Sequence, residues 1–378
     1  MPRMDNRPKR VLMVASRFSH LQQFHTPYLR WFAENGWEVE AAAQGMGEFP
    51  FPSSIHRMPF CKSLLSLQNI GTIFRLMRLF RKQEYQLVVS HTQLAGFLTK
   101  LALVFSGKRA TRWVHVCHGY LFRDDGSLKS RMYLFCEKLF CGRSACLLVM
   151  NREDEKISMR HRLCRKIVRI DGMGFPEDRF PILTPSGFDA ERSRFRKQAG
   201  VAAQEIILLC VGEFSPRKNQ SSLIRALAAI AEEFPRVLLW FAGEGQCLEE
   251  CVSLASRLGV NERVCFLGQC KEIDQLLAAC DALITASRCE GMPFSVMEAL
   301  FCGKPVLASR IKGHEELIQD GKNGLLFSLD DVGAERAMRT FLKNPGQFEA
   351  ITLPEKYHLR AVFPKVLACY LGENGDDF

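Results

Sequence analysis

The sequence predicts an α/β protein of two domains, each built on a parallel β-sheet, and three observations carry that reading. Short apolar runs alternate with stretches of helical periodicity, the pattern of βαβ units whose strands are covered on both faces. The alternation stops over residues 171–204, where Gly172, Gly174, Pro176, Pro181, Pro185 and Gly187 gather, and then restarts. The 378 residues also exceed what one hydrophobic core ordinarily organises, so two or three domains are expected.

In order, 10–15 is a buried first strand, followed by a polar loop over Ser16–His25. A helix runs from Pro27 to Glu34 and stops at Asn35-Gly36. Strands at 37–43, 86–90, 113–117, 146–150 and 166–170 complete the first set. After the break come 205–211, 237–242, 264–267, 282–285 and 305–308, a second parallel set. Two Rossmann-like halves facing a cleft is the simplest architecture, with domains at 1–175 and 176–355. A last apolar segment, 356–378, is expected to return as a helix to the first domain.

Composition is that of a soluble globular chain, 47% hydrophobic and 24% charged, and no run reaches the roughly 18 apolar residues of a membrane span. The first ten residues lack the apolar core of a secretory signal. Fifteen cysteines, an odd number without C-x-x-C pairs, read as reduced buried thiols of a cytosolic enzyme rather than a disulfide framework or zinc site. The net charge of +10 is lopsided: residues 1–170 carry 28 Lys and Arg against 12 Asp and Glu, or +16, which leaves −6 for the rest. The first half therefore meets something anionic. Two basic stretches in it, 70–82 and 127–140, mix Phe, Leu and Met with Arg and Lys as interfacial helices do. Each alone also fits a core helix with a solvated basic face. Nucleic acid is disfavoured, because the basic, aromatic-interleaved motifs of known modules are absent. An anionic membrane surface fits better.

Four features fall after strands of the second half. Val211-Gly-Glu-Phe-Ser-Pro-Arg-Lys-Asn219 brings Arg217 and Lys218, cations suited to phosphate. Ala242-Gly-Glu-Gly245 has small residues that allow close backbone approach, Gly243 first among them. Residues 287–305 hold Glu290, the turn Gly291-Met292-Pro293, and a helix over Phe294–Phe301 that carries Glu298 about two turns in. The segment 311–324 follows the strand at 305–308. Singly, each is an ordinary turn or cap. Together, at successive strand ends, they mark the edge where α/β sheets collect ligands.

With these motifs in place the chain resembles a glycosyltransferase of family 4, a retaining, nucleotide-sugar-dependent enzyme of the GT-B fold. It is most similar to the bacterial branch that builds capsule, exopolysaccharide or lipopolysaccharide. Ser90-His-Thr-Gln93, Val116-Cys-His-Gly119 and Met150-Asn-Arg-Glu-Asp154 stand where that branch carries H-x-H-T-P, A-H-G-F and N-x-E-D, and Gly172-Met-Gly-Phe175 resembles its interdomain turn. The resemblance implies that Glu298 bonds the ribose hydroxyls, and that Glu290 holds the donor sugar with backbone N–H groups of Met292, Phe294 and Ser295, either side of Pro293, around it. It implies that Lys218, helped by Arg217, stabilises the departing diphosphate. His118 would line the cleft beside the reacting carbon as a catalytic residue with Glu290 and Lys218, with Gly119 admitting the sugar; His20 and His25 are acceptor-side candidates or ordinary loop histidines.

The implied donor is UDP-linked and the acceptor a hydroxyl of a lipid-linked or polysaccharide chain. No metal or other cofactor is expected, since cations and helix N-termini can hold a diphosphate. The expected location is cytoplasmic, peripheral on the inner face of the plasma membrane. Departures exist: Glu213 stands where many members carry Arg, and Gln93 where the branch has Pro. They keep open a GT-B nucleotide-sugar epimerase and a catalytically inactive scaffold. A dehydrogenase is disfavoured, because no G-x-G-x-x-G follows the first strand.

Overall fold

A computed structural model describes residues 8–51, 53–61, 66–108, 111–122, 124–179, 185–330, 332–348 and 352–373, so Pro181 of the predicted break lies outside the described residues. The chain divides into two compact units, Met1–Gly174 with Leu359–Phe378, and Phe175–His358.

The first unit contains β1 (Arg10–Arg17), α1 (Phe18–Phe24), α2 (Thr26–Glu34), β2 (Glu38–Gln44), β3 (Ser54–Arg57), α3 (Leu67–Lys82) and β4 (Leu87–His91). It continues with α4 (Gln93–Ser106), β5 (Arg112–Cys117), α5 (Leu128–Lys138), β6 (Cys146–Val149), α6 (Arg152–Arg160) and β7 (Ile167–Arg169). The seven strands are parallel in the order β3-β2-β1-β4-β5-β6-β7. The interior strand β1 is sealed on both faces, with Val11 to Ala15 all at 0% exposure, which is why its sequence is continuously apolar rather than alternating.

Ser16–His25 is not the predicted loop. β1 extends to Arg17, and α1 follows at once, burying Phe18 and Leu21 three residues apart. This helix is seven residues long, has no side-chain N-cap, and is otherwise Ser, His, Gln and a terminal Phe, too short for periodicity to announce it. The edge strand β3 is also absent from the sequence reading. It is four residues long, Ser-Ile-His-Arg, and pairs with β2 alone, so no apolar run is required of it.

The second unit contains α7 (Pro185–Gln198), β8 (Ile206–Val211), α8 (Gln220–Ile230), β9 (Val237–Ala242), α9 (Leu248–Arg257), β10 (Val264–Phe266) and α10 (Ile273–Ala279). Then come β11 (Ala282–Thr285), α11 (Phe294–Phe301), β12 (Val306–Ser309), α12 (Lys312–Glu315), β13 (Gly324–Phe327) and α13 (Gly333–Lys343). Its six parallel strands run β10-β9-β8-β11-β12-β13, with Leu208, Leu239, Ile284 and Leu307 in the core beneath. The edge strand β13, again four residues, falls at the end of the segment read as the fourth motif.

The last helix, α14 (Leu359–Leu371), belongs to the first unit. It buries Val362, Val366, Cys369 and Tyr370, and Phe363 stacks on Tyr28 at 4.8 Å between centroids. The Arg112 guanidinium donates to the carbonyls of Cys369 and Tyr370, both at 2.9 Å, satisfying two acceptors that a helix C-terminus leaves open. No helix among the described residues is long and apolar enough to cross a membrane.

Candidate active site

In each sheet the strand order reverses beside the first strand of that unit, between β1 and β4 and between β8 and β11. Loops leaving the carboxyl ends of strands diverge at such a point and leave a crevice for ligands. Both candidate clusters lie there.

In the second unit, the loop after β8 carries Arg217 and Lys218, and the loop after β11 carries Glu290. Arg217 Nη1 lies 2.6 Å and Lys218 Nζ 3.0 Å from the same oxygen, Glu290 Oε1. Arg217 also donates to the Cys289 carbonyl at 3.0 Å, and its own carbonyl accepts from Arg288 N at 2.8 Å. Burial pushes the Glu290 carboxyl up, but Lys218 and Arg217 outweigh it, with a smaller pull from His314, and hold the group at about 2. Glu290 is therefore a fixed anion and a feeble base. Two cations against one carboxylate leave one positive charge for a ligand.

Around this triad the backbone is tightly fitted. Gly243, at φ +148°, packs against the Gly212 carbonyl so closely that a Cβ would stand 2.2 Å from that oxygen, so the β9 loop can lie against the β8 loop only as glycine. Gly291, Met292 and Pro293 are buried, and Pro293 is the N-cap of α11 rather than its first helical residue. Phe294 and Ser295, half-buried, open the helix, where the first N–H groups have no intrahelical partner. Glu298 is the fifth residue of α11, one turn in and not the expected two, since the four residues from Phe294 span little more than one turn.

Two residues join this site that the sequence reading quoted without a role. Gly313 opens α12 so close to the β11 loop that a Cβ would lie 2.7 Å from the Glu290 carbonyl. His314 Nδ1 donates to the Ser309 carbonyl at 2.7 Å, which leaves the lone pair on Nε2. That nitrogen is buried without a hydrogen-bond partner among the described residues. Burial lowers His314 to about 4 despite the Ser309 bond and Glu290, so the ring is neutral. Their signal was the Lys312-Gly-His-Glu315 run after a strand, but only folding sets it against Glu290.

In the first unit, four histidines from three segments meet. His118 follows β5, His91 ends β4, His20 lies in α1, and His25 joins α1 to α2. His118 Nε2 is 3.3 Å from His20 Nε2 and 3.3 Å from His91 Nδ1, and His25 stacks on His91 at 3.6 Å between centroids. His25 and His91 are fully buried, His20 and His118 half-buried. Burial lowers all four below the ordinary imidazole range, His20 to about 4, and for His25, His91 and His118 neighbouring histidines add to it. Gly119, at φ +110°, turns the chain after His118. The turn is clamped by Asp154 Oδ2, which accepts from Tyr120 N at 3.1 Å, while Asn151 caps α6 by accepting from Asp154 N at 2.8 Å. Gln93 Oε1 accepts from Leu121 N at 3.3 Å, a bond that proline at this position could not make. His91 was not among the sequence-predicted site residues. Its neighbour Thr92 holds φ +69°, a strained conformation for a β-branched residue that collects at functional sites.

Two parallel-sheet, Rossmann-like units, one with a cationic pair over a buried carboxylate, define the GT-B architecture of sugar-transferring enzymes. Family profiles agree: "Glycosyl transferases group 1" matches residues 191–355 and "Glycosyl transferase 4-like domain" residues 26–163. The chain is 32% identical over 328 residues to "Putative glycosyltransferase EpsD" of Bacillus subtilis (strain 168), covering 86% of this chain and 85% of that one. It is 23% identical over 284 residues to the UDP-Gal:alpha-D-GlcNAc-diphosphoundecaprenol alpha-1,3-galactosyltransferase of Escherichia coli, covering 72% and 70% of the two chains. The crystal structure of Anabaena Alr3699/HepE in complex with UDP and glucose superposes with a TM-score of 0.74 at 20% identity, over 97% of this chain and 100% of that one. The chain belongs to the glycosyltransferases of the GT-B fold.

Proposed function

We propose that the chain is a retaining family-4 transferase that moves a sugar from a UDP-sugar to a hydroxyl of a lipid-linked or polysaccharide acceptor in cell-surface glycan synthesis. The observation that carries this reading is the Arg217–Glu290–Lys218 cluster beside the start of α11. Its spare positive charge suits a leaving diphosphate. Lys218 and Arg217 stabilise the charge that develops as the anomeric C–O bond to phosphate breaks. Glu290 and the N–H groups near Met292–Ser295 hold the sugar, Glu298 the ribose, and Gly243 the wall between them. His118 stands beside the reacting carbon, and Gly119, His20 and His25 serve the acceptor side.

A carboxylate held at about 2 is a poor acceptor for the attacking hydroxyl's proton. That favours a reaction on one face of the sugar, in which the acceptor oxygen bonds to the anomeric carbon and its proton passes to the departing phosphate oxygen. Such a diphosphate needs no metal at this site. Two relatives support the nucleotide: the E. coli enzyme's name specifies UDP-Gal and a diphosphoundecaprenol acceptor, and HepE holds UDP and glucose.

The membrane reading rests on two exposed stripes. On α3, Leu67 (81% exposed), Ile70 and Phe74 continue into Arg78 and Arg81, and on α5, Leu128 (83%), Met132 and Phe135 stand among Lys129, Arg131 and Lys138. Apolar residues edged by cations fit an anionic lipid surface, which supports a peripheral position on the inner face of the plasma membrane.

A donor screen tests the proposal. UDP-sugars are expected to raise Tm and support transfer, GDP- and ADP-sugars to do neither, and Lys218→Ala to lower kcat/KM by about 100- to 1000-fold. Transfer that survives Lys218→Ala, or an epimerised nucleotide sugar formed without acceptor, overturns it.

A further inference from the structure

We propose that His20, His25 and His118 form a site for one zinc-class divalent cation within the first unit, with a fourth position open to a water or oxygen ligand. One ligand nitrogen from each of the three rings lies within 4.8 Å of the others, so a single ion can reach all three. Nitrogens bound tetrahedrally to zinc at about 2.0–2.1 Å stand about 3.3–3.4 Å apart. The His20 Nε2 to His118 Nε2 separation is 3.3 Å.

Hydrogen bonding among the rings does not account for the cluster. His118 Nε2 carries either one hydrogen or one lone pair, yet it faces two ring nitrogens at 3.3 Å. Both nitrogens of fully buried His25, and Nε2 of His91, have no hydrogen-bond partner among the described residues. The other five histidines differ. His56 bonds Glu40, His115 bonds Ser90, His161 bonds Asp124, His314 bonds Ser309, and His358 pairs with Glu177, each through oxygen. Four imidazoles whose ring nitrogens, among the described residues, find polar partners only in one another are an expensive arrangement without a ligand that uses their lone pairs.

The ligand chemistry agrees. Imidazole suits zinc, copper, iron and nickel, whereas magnesium and calcium prefer oxygen, and three imidazoles with an open position are the donor set of many catalytic zinc ions. His91 stacks on His25 and fixes its ring plane. Sequence spacing hid the site, since its ligands come from 20, 25 and 118 in no metal-binding pattern, and the site stands against the metal-free expectation for this enzyme.

The test uses the full-length chain without a histidine tag, stripped of metal and titrated with Co2+ and then Zn2+, with no sugar present. One Co2+ per chain is expected, with the visible absorption of a tetrahedral ion, displaced by Zn2+. His20→Ala and His118→Asn are each expected to weaken binding by at least about 100-fold, and His161→Ala to leave it unchanged. Circular dichroism confirms that the variants fold, and His20, half-buried, decides if His118→Asn does not. Absence of tetrahedral Co2+, or binding that survives His20→Ala, overturns the site. Because the readout needs no donor or acceptor, failure here leaves the transferase reading standing, and failure of that reading leaves the site testable.

Discussion

Glu290 concentrates the chemistry of the second unit into one carboxylate shared by two cations. Its folded value, about 2, lies below the ordinary 4.5, so the group stabilises the fold above its unfolded value and loses that contribution as pH falls from about 5 towards 2. The lost increment is on the order of 2–3 kcal/mol. Urea midpoints measured from pH 7 to 3 are therefore expected to fall more steeply for the wild type than for Glu290→Gln, and parallel curves contradict the ion-pair account. Glu290, Glu298, Arg217 and Lys218 were legible as candidates because each sits in a short contiguous motif after a strand. His91 and His314 were not, since a histidine declares a role only through what surrounds it. Their neighbours come from segments far apart in the chain.

At the scale of elements, the interior strands were legible because burial on both faces forces unbroken apolar runs such as Val11–Ala15, and the edge strands β7 and β10 were read from shorter apolar stretches. The edge strand β3 and the short helix α1 left no such trace, because one neighbour or one turn of contacts suffices to hold them, while the apolar run of β13, Leu325–Phe327, lies just beyond the segment read as the fourth motif. The β8 and β9 loops illustrate a constraint read from structure alone. Gly243→Ala is expected to push these loops apart, because its Cβ meets a backbone oxygen at 2.2 Å and its φ is unfavourable for any side chain. The measurable result is a lower Tm together with a raised KM for the nucleotide sugar; unchanged kinetics would show that the loop contact does not shape the donor site. The apolar stripes of α3 and α5 predict the opposite pattern. Phe74→Ser with Phe135→Ser, both at exposed positions, is expected to abolish co-flotation with anionic liposomes while leaving Tm unchanged, and retained flotation removes the stripes from the membrane account.

For the whole molecule, the sequence showed a break in the pattern, because glycine and proline interrupt periodicity wherever they cluster. The contacts that tie α14 to the first unit were not visible in composition. They depend on Arg112 reaching two helix carbonyls and on Tyr28 meeting Phe363. Deleting residues 359–378 is expected to uncover Tyr28 and lower the thermal transition of the first unit, while UDP-sugar still stabilises the second; a single unchanged transition in calorimetry would contradict this.

The return of α14 also sets an order of events during synthesis. Phe175–His358 emerges from the ribosome as one continuous piece and can close its sheet as soon as it is out. The first unit, though made earlier, stays unfinished until its last helix arrives, with Tyr28 and the Arg112 guanidinium waiting for partners nearly two hundred residues downstream of β7. The part translated first is thus the part completed last, and it is the nascent unit that a chaperone would find open.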